Sequence, residues 1–150
     1  MAALFAFLHH LAVFTLFAAL VVEFVLLKDD LTLKSARKLL AADLVFGIAA
    51  GAALFVGLGR VFHFEKGPVY YFHNWAFIAK LSLFILAGIA SIVPTREFLS
   101  WRKAVKAGEL PVVEAARLRS IRMIIHLELA AIVLILLCAA LMAKGVGIWL

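Results

Sequence analysis

Two side chains inside apolar stretches of this sequence could carry chemistry, the imidazole of His9 and the amine of Lys80. A neutral imidazole ligates haem iron or copper well. Burial favours the neutral form of an amine, which can also bind a metal, whereas a charged amine holds an anionic group. A cation inside a membrane span costs a few kcal/mol on insertion scales unless it meets a partner or a wet cavity. Lys80 therefore asks for a site, and His9 is the first candidate to share it. His73 lies seven residues before Lys80, which puts the two within about 20° on one continuous helix. Arg60 stands at the rim of the neighbouring span, and His10 follows His9 but is turned about 100° away from it. The candidate set is thus His9 and Lys80 as a cofactor-binding pair, with His9 as the metal ligand. His73, Arg60 and His10 are further cofactor-binding candidates. A flat porphyrin fits between helices of a bundle, and basic rim residues can take its propionates.

A second polar group comprises Glu23, Asp43, Arg122, His126 and Glu128. Its simplest reading is charge pairing between helix ends, with Arg122 against Glu23 or Asp43. Glu128 lies about 200° from His126 and is expected to serve a different neighbour.

The elements that must position these groups are membrane helices. The 150 residues are 67% hydrophobic and 16% charged, too apolar for a water-soluble domain. Four apolar runs predict spans at about 4–27, 39–58, 73–93 and 121–143, the third ended by Pro94. The fold class is an all-α membrane protein, a four-transmembrane-helix bundle, and residues 1–150 form a single integral membrane domain. The N-terminal run has no basic segment or small-residue cleavage pattern and is read as a retained span. Asp43, Gly47 and Gly51 recur every four residues on span two, a spacing that predicts close approach of another helix. Gly67-Pro68 signals a turn, and Tyr70 and Tyr71 suit the headgroup zone. Glu109-Leu110-Pro111 and the residues after it read as a short surface helix before span four.

The net charge of +6 does not imply nucleic acid, because the basic residues gather in two short loops. Residues 96–122 hold seven, residues 28–38 hold four, and the connection between spans two and three holds Arg60 and Lys66. This bias places the first and third loops in the cytoplasm and both termini outside. His9 and Lys80 then lie on the order of 8–10 Å below the outer boundary. Cys138 is the single cysteine and has no disulfide partner in the chain.

Three segments resemble a bacterial family of four-span membrane proteins of unknown function: LHHLAVFTLFAALVVEF from Leu8, GLGRVFHFEKGPVYYFHNWAF from Gly57, and SIVPTREFLSW from Ser91. More distantly, spans one and three resemble the HemJ family of protoporphyrinogen IX oxidases, four-span proteins that bind haem b. Leu8-His9 and Thr15-Leu16-Phe17-Ala18-Ala19 match that family's first span, and Lys80-Leu81 after Trp75 match its third, displaced by one position. The family's functional His and Lys carry over onto His9 and Lys80. Leu16 replaces its tryptophan, the Pro-Arg step late in span one is missing, and His126-Leu127-Glu128 stands where Asn-Glu-x-Pro would open the last span. The resemblance implies haem b as cofactor, oxidoreductase chemistry on a porphyrinogen, and a membrane acceptor such as quinone. It also implies the bacterial inner membrane. A non-catalytic haem-binding or electron-carrying protein, and a cofactor-free scaffold or transport subunit, stay open beside it. So does a homo-oligomer in the bilayer.

Overall fold

The computed structural model describes residues 1–149. Helix α1 runs Ala2–Leu26 and α2 runs Leu33–Gly59, continued by a π-helical turn over Arg60–Phe64. A short helix α3, Pro68–Phe72, leads into α4, Trp75–Lys106, and α5 spans Ala115–Ala143. The four long helices are apolar and long enough to cross a bilayer. Helix α1 packs chiefly on α2 and α4 on α5, while α2–α4 and α1–α5 contacts close a four-cornered bundle. The start of α1, the described segment after α5, the π-helical turn and α3 gather at one end, here the upper end.

Local signals explain the element boundaries. Thr32 caps α2 through a reciprocal pair: its side chain accepts from the Ser35 amide, and the Thr32 amide donates to Ser35 Oγ at 2.8 Å. Gly67 adopts φ +85°, open to glycine without a steric penalty, and Pro68 starts α3. The fully buried Asn74 caps α4 by accepting from the amides of Ala76 and Phe77. The same side chain donates to the Val146 carbonyl at 3.3 Å, and the Trp75 amide donates to the Gly147 carbonyl at 2.9 Å. The chain after α5 is thereby strapped across the start of α4.

The expected stop at Pro94 is not observed, because α4 passes through it to Lys106. Proline removes one ladder bond but need not end a helix whose other side is packed. Beyond Pro94, Phe98, Trp101 and Val105 form a buried stripe at helical spacing. They join Leu39, Ile121 and Ile125 in the main core at the lower end. Thirty-two residues make α4 about 48 Å long, so its last turns project past a hydrocarbon layer of about 30 Å. Glu97 locks this extension to α5: its carboxylate accepts from Trp101 Nε1 at 3.1 Å and from Arg117 Nε at 2.8 Å. The expected surface helix before span four does not form as a separate element: residues 109–114 are non-helical, and the residues from Ala115 are the first turns of α5.

The face expected to admit a close neighbour on α2 is also displaced. Gly47 and Gly51 are exposed, and a Cβ built at either meets nothing within 4 Å. The buried stripe instead runs Asp43, Phe46, Ala49, Ala53. Steps of four residues drift about 40° around a helix each time, so a glycine eight residues on has left Asp43's face. The close approach occurs further up, at Gly57.

Candidate functional site

At the upper end the four long helices and α3 surround a half-open cavity of about 140 Å³. It is lined by His9 of α1, Gly57 of α2, Arg60 and Val61 of the π-helical turn, and Tyr71 of α3. Phe77, Lys80 and Phe84 of α4 and Met142 of α5 complete the wall. The walls are mostly apolar, and three basic groups enter them. The imidazole of His9 lies flush against α2, where a Cβ at Gly57 would stand 3.0 Å from His9 Cε1. A methyl group there would require the ring to give by a few tenths of an ångström. Nδ1 of His9 is enclosed and has no hydrogen-bond partner. Lys80 is half-buried; its Nζ lies 5.3 Å from the centroid of the Phe77 ring, a cation–π contact. Among the described residues, no carboxylate pairs with it.

Arg60 is the one basic group of the cavity with a carboxylate partner. Its Nη2 donates to Glu65 Oε1 at 2.6 Å and its Nε donates to the same oxygen at 3.2 Å. The Tyr71 hydroxyl donates to the other oxygen, Oε2, at 3.2 Å. The guanidinium holds the Glu65 carboxyl below its usual range. Burial and then the Glu65 charge push Tyr71 up to about 12. This triad closes the rim, and among the described residues neither His9 nor Lys80 has a carboxylate partner.

The cavity thus unites His9, Lys80 and Arg60 from three separate parts of the sequence. His73 and His10 do not line it. His73 precedes α4 rather than opening it, so the expected shared face with Lys80 does not exist. Its Nδ1–H donates to the Val69 carbonyl at 2.8 Å, and the residue is exposed. His10 is exposed and its Nδ1–H donates to the Ala6 carbonyl at 2.6 Å, one helical turn back. Gly57 and the Glu65–Tyr71 pair were missed by the sequence reading. The run Gly57-Leu58-Gly59 could have flagged a close approach, but nothing local says which ring arrives there.

The second polar group lies towards the lower end. Glu23 of α1, Asp43 of α2 and Glu128 of α5 are 2%, 7% and 3% exposed. Thr95 of α4 donates to Asp43 Oδ1 at 2.6 Å. The expected charge pairing is absent: Arg122 reaches the Asp29 carbonyl at 3.5 Å and makes no ion pair with Glu23 or Asp43. The guanidinium is turned to the chain just beyond α1, and its Nε is buried without a partner. His126 is exposed against Phe24, while Glu128 is buried, so the two serve different neighbours as their spacing predicted.

A bundle of this kind, with its polar groups turned inward and its outer surface apolar, is an integral membrane protein. The chain belongs to the family described as predicted membrane protein (DUF2214), whose profile matches residues 1–147. No curated protein matches the chain, and no solved structure matches it.

Proposed function

We propose that the upper cavity is a porphyrin site, with haem b as its first occupant and His9 as the residue that would ligate the iron. The observation that carries this reading is the gathering of His9, Lys80 and Arg60 on the wall of one mostly apolar cavity. The donor set suits the group: imidazole is a common axial ligand, and two cationic side chains can take propionates. The enclosed volume is smaller than the roughly 300–1,000 Å³ of typical small-molecule pockets. A whole macrocycle therefore requires the helices to part, or its far edge to lie in lipid.

In this reading Gly57 keeps the imidazole against α2, and Phe77 and Phe84 keep water from the cavity. Lys80 holds an acidic group of the ligand or substrate inside the cavity, and Arg60 exchanges Glu65 for a second one at the rim. Bound haem would supply one-electron redox chemistry. The HemJ resemblance extends the proposal to porphyrinogen oxidation with electrons leaving to a membrane acceptor such as quinone. The departures in spans one and four favour the narrower version, a haem-binding or electron-carrying protein without that activity.

The same proposal includes orientation. Four basic residues at 28–38 and seven at 96–122, in the lower helix ends and connections, against Arg60 and Lys66 between α2 and α4, support a cytoplasmic lower end. The cavity then opens on the outer side of a bacterial inner membrane. An absorption spectrum of the detergent-purified protein is the direct test: a Soret band is expected, and its absence after haem supplementation overturns the haem reading. Complementation of a strain lacking porphyrinogen oxidase separates the catalytic version from the carrier. A cytoplasmic reporter that is active when fused at the C-terminus overturns the orientation.

A further inference from the structure

We infer that Glu23, Asp43 and Glu128 form an intramembrane proton-binding site, separate from the upper cavity and independent of any porphyrin. Three helices each contribute one carboxyl group, and the three lie within Coulombic range of one another. Two of these side chains are nearly solvent-free and short of partners. Both oxygens of Glu128 and Oε1 of Glu23 are buried without a hydrogen-bond donor. Thr95 supplies one donor, and it goes to Asp43.

A cation on a neighbouring element, Arg122, has its Nε buried without a partner and makes no ion pair with the three carboxyl groups. Helix α1 brings Glu23 itself, α2 brings Asp43, and α4 brings the hydroxyl of Thr95. Helix α5 brings Glu128, Arg122, which is turned to the Asp29 carbonyl, and His126, which is exposed against Phe24. Three ionised carboxylates in such a place would repel one another, with no ion pair among the described residues to offset them. An isolated ion in a dry interior is costly enough that the group neutralises instead. Among the described residues no group of three or more His, Cys, Asp or Glu side chains is arranged to hold a metal ion. Protons are the cations that fit. Each uptake forms one O–H bond at a carboxylate oxygen, takes the proton from bulk water and removes one negative charge. Glu23 lies within one turn of the end of α1, close to the polar connection from which the proton comes.

Infrared spectroscopy of the protein in lipid nanodiscs tests this, with deuterium exchange to identify protonated carboxyl groups. The wild type is expected to keep a protonated-carboxyl band at about pH 7, where free Asp and Glu are ionised. Glu23→Gln and Glu128→Gln should each lose part of that band, and Glu109→Gln, at an exposed position, should lose none. Glutamine has the shape and neutrality of the protonated acid, so both variants should fold. If either does not, the wild-type band remains the readout. No band at neutral pH in the wild type overturns the inference. A band that disappears when sodium chloride replaces choline chloride overturns it in favour of a sodium site.

Discussion

The two polar centres sit in the same four helices and are built on opposite plans. The upper one is a space: an apolar cavity with His9, Lys80 and Arg60 at its wall and one carboxylate, Glu65, at the rim. At the lower one three carboxyl groups are packed among core side chains, and one hydroxyl, that of Thr95, donates to Asp43. Along α1, His9 and Glu23 are separated by about 21 Å of helix whose inward residues, including Leu16 and Leu20, are buried and apolar. The difference teaches that burial alone does not define the role of an intramembrane ionisable group. Basic groups around room suit a ligand with acidic substituents, and acidic groups in close packing suit the smallest cation.

The sharpest way to break this contrast is His9→Ala. It removes the donor nitrogen and should abolish or strongly alter the Soret band, while His10→Ala leaves it in place. Lys80→Met keeps most of the stem and removes the amine. A near-normal spectrum with lost activity then assigns Lys80 to an acidic group, and a changed spectrum assigns it to the iron. Haem loss in Glu23→Gln with retention in His9→Ala would place the site at the wrong end of the bundle.

The next largest effect is expected at the strap that holds the upper end. Gly147 has φ +99°, and a Cβ there would lie 2.8 Å from Trp75 Nε1 and 2.9 Å from Asn74 Oδ1. Gly147→Ala should cost about 1–3 kcal/mol from backbone strain alone. Loss of ligand affinity with an unchanged carboxyl band would confirm that the two centres are mechanically separate. Asn74→Ala, which removes the cap of α4, should cost about 0.5–2 kcal/mol in a thermal melt.

A smaller effect is expected from the rim triad as pH is varied. Tyr71 is raised from 10 to about 12, so the unfolded chain loses this proton first. Its contribution to stability is complete below about 10 and is lost as pH rises from 10 towards 12. Glu65 is shifted the other way, so its contribution is present above the usual carboxylate range and is lost as pH falls through its depressed value. Tyr71→Phe should flatten the alkaline limb of a melting profile and, because Glu65 loses the hydroxyl that donates to it, also weaken the smaller acid limb. An unaltered alkaline limb would show that the contact with Glu65 does not persist in solution.

The smallest effect belongs to Gly47→Leu and Gly51→Leu. Both positions are open, so each change should alter the melt by less than about 0.5 kcal/mol. A large loss would mean that this face meets a second copy of the chain in the bilayer.

What the sequence determined by itself is position along each helix. Apolar runs marked four spans, and a rise of about 1.5 Å per residue put His9 and Lys80 at one depth and Glu23 and Asp43 at another. Those placements depend on chain geometry alone, and the structure reproduces them. Tertiary structure decided what each side chain faces. His73 was expected beside Lys80, but Asn74 caps α4 one residue later and breaks the continuous helix that the estimate assumed. Gly47 looked like the point of close approach, and Gly57 is that point because the ring of His9 arrives there from α1. Arg122 looked like the partner of Glu23, and it turns instead to a carbonyl beyond α1. Pro94 read as a stop, and α4 continues because Phe98, Trp101 and Val105 find a core on other helices. Depth is a property of one helix, whereas facing direction drifts by about 40° every four residues and acquires meaning only from the neighbours packed against it.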